Sequence, residues 1–337
     1  MSARPRVYVT RHLPGGTLDV LRAQCELEVW EGDDPPPSQR LREGAARAHG
    51  ILTLLTDRID SALLGAAPNL VVVSNMATGF DNIDVEAASR HSVLVTRTPG
   101  VLSQTTADLA FGLILAAARR IVEADRYVRN GRWKSWGPEV LLGGDVHGAT
   151  VGIVGMGGIG SEMAKRARGF GMRIVYSGPS PKPALERRYR MMYLPLESLL
   201  READFVSLHA PLTADTRHLI NEDSLRLMKH SAVLINTARG PLVDQGALYR
   251  ALKEGWIGAA SLDVTDPEPM SPNDPLLTLD NIVVTPHIAS ASVATRSRMA
   301  LLAAEQLLQG LCGETPEFAV NREILAAWRR RVREGLP

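Results

Sequence analysis

The sequence predicts an α/β protein built from two doubly wound parallel-sheet domains with a cleft between them. Three observations lead to this prediction. The chain has 337 residues, more than one ordinary domain contains. Short β-rich runs alternate with helix-like stretches over two separate parts of the chain, as in parallel sheets covered by helices. Two longer helix-like stretches lie at the junctions between these parts.

The first alternating part runs from residue 6 to about residue 96. Its predicted strands are Arg6–Thr10, Glu26–Trp30, Gly50–Leu54, Leu70–Ser74 and Val93–Thr96. Pro99-Gly100 ends the pattern. Ser103 is then suited to cap a long helix that continues to about Val128.

The second alternating part begins after Gly148. Its predicted strands are Thr150–Val154, Arg173–Tyr176, Asp204–His209, Ala232–Asn236, Gly258–Val264 and Ile282–Thr285. A periodic helix from about Ser292 to Leu311 follows the last strand. Ligands favour domain interfaces and the carboxyl ends of parallel strands, so we expect the functional site in the cleft.

Composition narrows the classes of partner. The 38 basic and 37 acidic residues leave a net charge of +1, which provides no positive field for a nucleic acid. Cys25 and Cys312 lack the spacing of a metal cluster or a disulfide framework, so we expect no metal and a reducing, cytoplasmic location. The uncharged stretch 61–80 is broken by Pro68-Asn69, so no membrane segment is predicted.

A glycine-rich loop is the strongest local motif. Gly155, Gly157 and Gly160 form a GxGxxG pattern that follows an apolar strand and opens a helix from about Ile159 to Arg168. In this context the first glycine permits a tight turn, the second lets a pyrophosphate approach, and the third lets helix and strand pack closely. The pattern predicts a dinucleotide site; the alternative is a set of glycines that serves only the turn.

The residues after the next strand indicate which dinucleotide is bound. A carboxylate there would bond the adenosine ribose and repel a 2′-phosphate. The chain has Ser177, Ser180 and Lys182 in this region and no acid between residues 176 and 182. We therefore expect NADP(H) to be favoured, with NAD(H) possible. The alternative interpretation is an exposed polar turn with a chance lysine.

Three residues of complementary chemistry follow strands of the second part. Arg239 could hold a carboxylate through two parallel hydrogen bonds, His287 could exchange a proton, and Glu268 could pair with His287 and favour its charged form. Each residue alone would be interpreted as solvated surface. Their shared position on the carboxyl side of parallel strands favours a catalytic group. His209 also ends a strand, where a cofactor-lining role is expected.

These segments resemble the D-isomer-specific 2-hydroxyacid dehydrogenase family over nearly the whole chain. The resemblance is carried, besides the glycine loop, by 78–84, 106–110, 209–212, 236–240 and 285–288. Within the family the chain is most similar to glyoxylate and hydroxypyruvate reductases, through residues 262–269 and 275–279.

The resemblance implies a flavodoxin-like substrate domain of residues 1–100 and 290–337 around a Rossmann cofactor domain of residues 101–289. It assigns substrate binding to Arg239, the acid–base role to His287 and the role of its partner to Glu268. The implied cofactor residues are Thr106, Gly155, Met156, Gly157, Gly158, Ile159, Gly160, Ser177, Ser180, Lys182, His209, Ala210, Pro211, Thr216, Thr237, Ala238 and Asp263.

The substrate carboxylate is expected near Arg239, His287 and the backbone amides around Leu55, Thr78 and Gly79. The family resemblance also implies a homodimer formed through the cofactor domain, in which Trp136 of one subunit reaches the active site of its partner. Two positions depart from the family pattern. Pro179 stands where NADP-using relatives often have arginine, and Ala289 replaces a more usual glycine.

The expected reaction is NAD(P)H-dependent reduction of glyoxylate and hydroxypyruvate to glycolate and D-glycerate. Within the same class, a reductase for a bulkier 2-oxo acid or a phosphite dehydrogenase remains open. A different class, an NAD(P)-sensing binding protein resembling the corepressors of the family, also remains open. We expect no long extension beyond the predicted fold that could serve as a recruitment arm.

Overall fold

A computed structural model describes residues 4–335. The chain divides into two compact units. One comprises the chain up to Leu102 together with the chain from Ala291 onward, and the other comprises Ser103–Ser290. Both units are built on parallel sheets.

The first unit contains a five-stranded sheet. Its strands are β1 (Arg6–Val9), β2 (Glu26–Val29), β3 (Gly50–Thr53), β4 (Val72–Asn75) and β5 (Leu94–Thr96). The spatial order is β2-β1-β3-β4-β5, and all neighbours are parallel. Every residue of β3, β4 and β5 is buried, as expected for strands covered on both faces. This is the predicted flavodoxin-like strand order.

The second unit contains a seven-stranded sheet. Its strands are β6 (Thr150–Val154), β7 (Arg173–Ser177), β8 (Met191–Tyr193), β9 (Phe205–Leu208), β10 (Val233–Asn236), β11 (Ala259–Leu262) and β12 (Ile282–Val284). The order is β12-β11-β10-β9-β6-β7-β8, again entirely parallel. The order reverses beside β6, which is where a Rossmann sheet binds its dinucleotide. The expectation of two doubly wound sheets is confirmed.

Helices cover both sheets. In chain order they are α1 (Thr17–Gln24), α2 (Ser38–Arg47), α3 (Ser61–Gly65), α4 (Val85–Arg90), α5 (Ser103–Ala118), α6 (Ile121–Arg129), α7 (Gly158–Gly169), α8 (Pro183–Tyr189), α9 (Leu196–Glu202), α10 (Glu222–Leu227), α11 (Gln245–Lys253), α12 (Val293–Leu311) and α13 (Leu325–Gly335). Helix α12 begins as predicted, because the Ser292 side chain accepts a hydrogen bond from the Thr295 amide. No helix within residues 4–335 is long and apolar enough to span a membrane.

The prediction of one helix from Ser103 to about Val128 is wrong. Helix α5 ends at Ala118 and α6 starts at Ile121, with Arg120 between them at φ +52°. The carbonyl of Ala118 accepts a hydrogen bond from the Gly144 amide at 2.9 Å, so a distant loop takes the place of the next helical turn. Ser103 is the first helical residue instead of the cap before it.

Strand β8 has no counterpart among the predicted strands. It is three residues long and lies at the edge of its sheet, with only Met191 buried. Such a short, half-exposed run carries almost no periodic pattern. The other eleven strands differ from the predicted ranges at most at their ends.

Candidate active site

The three predicted catalytic residues follow three adjacent strands. Arg239 comes after β10, Glu268 after β11 and His287 after β12, and these strands pair side by side in parallel. Their carboxyl ends therefore share one edge of the seven-stranded sheet. The glycine loop after β6 belongs to the same edge.

His287 and Glu268 form a direct pair. The Nδ1 atom of His287 lies 2.6 Å from Oε1 of Glu268, and both side chains are partly buried. Burial raises the pKa of Glu268, but the hydrogen bond and charge of His287, a Thr265 backbone contact and the charge of Arg239 together outweigh burial and hold it below the usual value. Glu268 is thus a carboxylate that accepts a hydrogen bond from the ring and orients it.

Arg239 is placed by a buried turn. The side chain of Asn236, which is fully buried, donates to the carbonyl of Arg239 at 2.8 Å and accepts from the Ala238 amide at 3.0 Å. The guanidinium donates to the carbonyl of Ala238 and lies near enough to Glu268 to lower its pKa. The guanidinium is planar and permanently charged, and its parallel N–H donors suit a carboxylate ligand.

Gly240 allows the loop that carries Glu268 to approach this turn. A Cβ atom on Gly240 would overlap the carbonyl oxygen of Thr265 and lie 2.8 Å from the amide of Asp266. The same loop is held by a hydrogen bond from the Asp266 amide to Oε1 of Gln245 at 2.7 Å. Nothing in the local sequence pattern distinguishes Gly240 from an ordinary turn glycine.

Asp263 organises the turn that contains His287. His287 has φ +54°, a left-handed conformation that a residue with a side chain rarely adopts. The buried carboxylate of Asp263 accepts hydrogen bonds from the Thr285 hydroxyl at 2.5 Å and from the amides of Ile288 at 2.9 Å and Ala289 at 2.8 Å. The resemblance implied only a cofactor contact for Asp263, so this supporting role was missed from the sequence.

The glycine loop has the geometry that a dinucleotide needs. Gly155 has φ +96°, and a Cβ there would lie 2.6 Å from the amide of Ala210. A Cβ on Gly157 would meet nothing within 4 Å, which leaves open space beside the loop, whereas one on Gly160 would overlap the carbonyl oxygen of Gly155. Helix α7 begins directly at Gly158. Met156 lies within this loop and Ile159 in the first turn of α7, and a helix N-terminus of this kind suits a pyrophosphate.

The segment that follows β7 is held by two tyrosines. The hydroxyl of Tyr176 accepts from the Lys182 amide at 2.5 Å and donates to Glu186, while that of Tyr193 donates to the carbonyl of Gly178 at 3.1 Å. The ammonium of Lys182 donates to the carbonyl of Met156 in the glycine loop at 2.7 Å. Lys182 and Ser177, whose carbonyl accepts from the Gly155 amide at 2.9 Å, therefore lie beside the glycine loop. Ser177 is buried and Ser180 is exposed.

Two buried polar atoms of the second unit have no hydrogen-bond partner within residues 4–335. They are Nδ1 of His209, which follows β9, and Oγ1 of Thr237, which follows β10. Nε2 of His209 pairs with the Ser207 hydroxyl at 2.9 Å, and burial lowers the pKa of this histidine to about 4, so its ring is neutral. Such atoms fit the polar groups of a bound dinucleotide.

The remaining predicted residues have the following positions. Pro211 and Thr216 share a hydrogen bond in the loop after β9, and Ala238 lies in the turn with Arg239. Thr106 is buried on α5. Leu55 follows β3, and Thr78 and Gly79 follow β4, all in the first unit. Trp136 is 83% exposed in the segment after α6.

No group of three or more histidine, cysteine, aspartate or glutamate side chains among the described residues is arranged to hold a metal ion. The site combines a histidine–glutamate pair, an arginine and a glycine loop. These groups suit hydride chemistry on a carboxylate-bearing substrate with a nicotinamide dinucleotide.

Comparison with known proteins agrees with this chemistry. Residues 111–289 match the family described as "D-isomer specific 2-hydroxyacid dehydrogenase, NAD binding domain". A glyoxylate reductase of Korarchaeum cryptofilum is 52% identical over 323 residues, which cover 96% of this chain and 97% of that protein.

Two solved structures extend the comparison. A protein of Thermus thermophilus superposes with a TM-score of 0.89 at 49% identity, covering 94% of this chain and 99% of that chain. An NADPH-dependent glyoxylate/hydroxypyruvate reductase of Sinorhizobium meliloti, solved with NADP and malonate, gives a TM-score of 0.84 at 33% identity, covering 94% and 97%. With the geometry of the site, these similarities show that the chain belongs to the D-isomer-specific 2-hydroxyacid dehydrogenase family of oxidoreductases.

Proposed function

We propose that this protein reduces glyoxylate to glycolate, and hydroxypyruvate to D-glycerate, at the expense of a reduced nicotinamide dinucleotide. The observation that carries the proposal is the His287–Glu268 pair. Its residues follow β12 and β11, and β11 lies beside β10, the strand that precedes Arg239, in the sheet that bears the glycine loop. The names of the relatives from Korarchaeum and Sinorhizobium support the choice of substrates.

In the proposed mechanism Gly155, Gly157 and Gly160 would hold the dinucleotide, which would supply the hydride when bound. Arg239 holds the substrate carboxylate and polarises the adjacent carbonyl. His287, with Nδ1 engaged by Glu268, presents its other ring nitrogen to the carbonyl oxygen and donates a proton. The oxidation of the 2-hydroxy acid uses the same groups in reverse and requires a neutral His287.

The direct test follows the near-ultraviolet absorbance of reduced nicotinamide with purified protein and either glyoxylate or hydroxypyruvate. We expect absorbance to fall with both substrates, and His287→Ala to lower kcat by about 10²- to 10⁴-fold, the usual contribution of a general acid. NADPH affinity should stay within about twofold of the wild type, since the ring does not hold the cofactor. An unchanged kcat in His287→Ala would refute its role. If the protein turned over only a bulkier 2-oxo acid, or only phosphite, that compound would replace glyoxylate and hydroxypyruvate as the assigned substrate.

We further propose that NADP(H) is the favoured cofactor. The support is the absence of an acid from residues 176–182, together with the hydroxyl of Ser177 at the end of β7 and the Lys182 ammonium beside the glycine loop. A hydroxyl and a cation at these positions favour a ribose 2′-phosphate, and an acid would repel it. NAD(H) use at lower efficiency is compatible with the same residues.

We propose that two copies associate through the second unit. Every residue of α6 is at least partly exposed, and the segment from α6 to residue 142 presents Ile121, Val128, Trp133, Trp136 and Leu142 to solvent. An apolar surface of this kind is typical of an interface. Light scattering should give twice the 36.5 kDa mass of one chain. A monomeric mass at micromolar concentration would contradict the proposal.

In this proposal the first unit binds substrate and the second binds cofactor. Trp136 of one subunit then contributes to the site of its partner, so Trp136→Ala should raise the substrate KM while NADPH binding stays unchanged. We also propose a reducing, cytoplasmic location, supported by the two cysteines, Cys25 and Cys312, both of which are free thiols.

A further inference from the structure

Three backbone amides of the first unit have no internal acceptor. They belong to Leu55, in the loop after β3, and to Thr78 and Gly79, in the loop after β4. Within residues 4–335 none of these three N–H groups donates a hydrogen bond to another residue. Because β3 and β4 are parallel neighbours, both loops lie at the same edge of the five-stranded sheet. Unpaired amides at one edge are suited to an anion.

The carbonyl group that precedes each amide is held by a donor. The Leu54 oxygen accepts from Nδ2 of Asn82 at 3.1 Å, the Ala77 oxygen from the Thr98 amide at 2.8 Å and the Thr78 oxygen from Nη1 of Arg97 at 3.3 Å. A trans peptide is planar, so its C=O and N–H point in opposite directions. Each fixed carbonyl therefore turns the following N–H away from the donor.

Asn82 links the two loops. Its Nδ2 atom donates to the carbonyls of Leu54 and, at 3.0 Å, Asp57, while its Oδ1 accepts from Nδ2 of Asn75 at 3.2 Å. Asn75 is fully buried, and its Nδ2 also donates to the carbonyl of Gly79 at 2.9 Å. The Asn82 side chain is thus hydrogen-bonded directly to the loop of Leu55 and, through Asn75, to the loop of Gly79.

The loop of Leu55 is further anchored by a buried acid. Oδ2 of Asp57 accepts hydrogen bonds from the Thr10 hydroxyl at 2.5 Å, the Thr53 hydroxyl at 2.9 Å and the Leu54 amide at 2.8 Å. The guanidinium of Arg11 lies 3.7 Å from the other carboxylate oxygen and balances its charge. Leu54, the residue before Leu55, is therefore hydrogen-bonded at both its amide and its carbonyl.

We propose that Asn82 is a positioning residue for the substrate carboxylate. It orients the unpaired amides of the two loops before the ligand arrives, so the ligand need not order them itself. The inference rests on the proposed function, in which the first unit binds the 2-oxo acid, and on the family resemblance, which places the substrate carboxylate near the amides around Leu55, Thr78 and Gly79. Asn82 itself touches neither substrate nor cofactor in this proposal.

The test compares Asn82→Ala and Asn82→Leu with a matched control, Asn321→Ala. Asn321 is a buried asparagine of the same unit whose Oδ1 accepts from the Val95 amide and whose Nδ2 donates to the Val93 carbonyl, both at 2.9 Å. Asn82→Leu preserves side-chain volume without the donor, and Asn82→Ala removes both. The kinetic constants are measured with NADPH and glyoxylate.

Both Asn82 variants should raise the glyoxylate KM by about tenfold or more, with kcat within about threefold and the NADPH KM within about twofold of the wild type. Asn321→Ala should lower Tm without changing the glyoxylate KM. A glyoxylate KM within about twofold of the wild type in Asn82→Leu, or an equal rise in Asn321→Ala, would overturn the positioning role.

Oxalate binding to the NADP-loaded protein, measured by calorimetry, separates this inference from the proposed function. If the wild type binds oxalate but does not turn over glyoxylate, the proposed function fails. An oxalate affinity weakened by about tenfold in Asn82→Leu would then still support the positioning role. If the wild type neither binds oxalate nor turns over glyoxylate, both proposals are overturned.

Discussion

The conformation of His287 depends on a single buried carboxylate. Its positive φ is unfavourable for any residue with a side chain, and three hydrogen bonds from the 285–289 turn to Asp263 offset that cost. Glu268 then fixes the ring through Nδ1. The position of the histidine therefore depends on Asp263 for its backbone and on Glu268 for its ring.

Glu268→Gln tests the second of these contacts. The charge of His287 helps to lower the pKa of Glu268, and the carboxylate lies 2.6 Å from Nδ1 of the ring. Glutamine keeps the size of this side chain but removes its charge, so the ring is held less firmly. The kcat for glyoxylate reduction should therefore fall by about tenfold or more, with the NADPH KM within about twofold of the wild type. A kcat within about twofold of the wild type would contradict this role.

Gly240→Ala tests the approach of two loops. The added Cβ would overlap the Thr265 carbonyl and push the Glu268 loop away from Arg239, and backbone atoms cannot yield as a flexible side chain would. We expect kcat/KM for glyoxylate to fall by at least about tenfold, since small misplacements in an active site are costly.

The control for this prediction is Gly112→Ala in α5, where a Cβ would meet nothing within 4 Å. It should leave kcat/KM unchanged. Equal kinetics in Gly240→Ala and the wild type would contradict the prediction, because the two loops would then accommodate the added Cβ without a loss of activity.

At the scale of elements, the segment between β7 and α8 is ordered by its neighbours. The rings of Tyr176 and Tyr193 meet edge to face at 5.5 Å, and their hydroxyls bind the two ends of the segment. The segment thus presents Ser177 and Lys182 in a defined arrangement instead of as an open turn. The polar composition was visible in the sequence, whereas its attachment to a strand that had not been predicted, β8, was not.

Ser177→Asp tests cofactor selection by this segment. A carboxylate at the end of β7 should repel the 2′-phosphate and accept a hydrogen bond from an unmodified ribose. We expect the NADPH KM to rise by about tenfold or more and the NADH KM to stay within about threefold or to fall. The NADPH KM and the NADH KM of Ser177→Asp are compared with those of Ser180→Asp, a variant at an exposed position of the same segment. An unchanged NADPH KM in Ser177→Asp would remove Ser177 from the phosphate site.

At the scale of the whole molecule, partly buried His209, whose Nδ1 atom is fully buried, makes the folded state sensitive to acid. Burial lowers its pKa to about 4, while an unfolded chain has a value near 6.5. As the pH falls below about 6.5 the unfolded state takes up a proton that the folded state cannot, so stability decreases until about pH 4. The loss amounts to at most about 3 kcal/mol.

Thermal unfolding from about pH 7 to about pH 4 measures this dependence. The decrease in Tm should be smaller in His209→Gln, which has no proton to gain, than in the wild type. His147→Gln replaces an exposed histidine and should keep the wild-type dependence. Equal pH dependence in His209→Gln and the wild type would mean that other groups cause the acid sensitivity.

The sequence alone determined the features that depend on local pattern. Alternating apolar runs defined eleven of the twelve strands, and the glycine spacing located the turn at β6. Arg239, Glu268 and His287 were predicted to lie together because residues that follow parallel strands of one sheet share an edge, and the structure brings them together. Each of these inferences uses neighbours in the chain or a general rule of topology.

Only the tertiary structure decided the features that depend on contacts between distant residues. The Gly144 amide bonds the Ala118 carbonyl where α5 ends, and the Thr265 carbonyl leaves room only for a glycine at position 240. Asp263 accepts hydrogen bonds from the turn that contains His287, and Asn82 is hydrogen-bonded to two loops. In each case the partners are separated along the chain, and their contact produces no periodic pattern in the sequence. Close packing and hydrogen bonding across such separations follow from how the strands and loops meet in space.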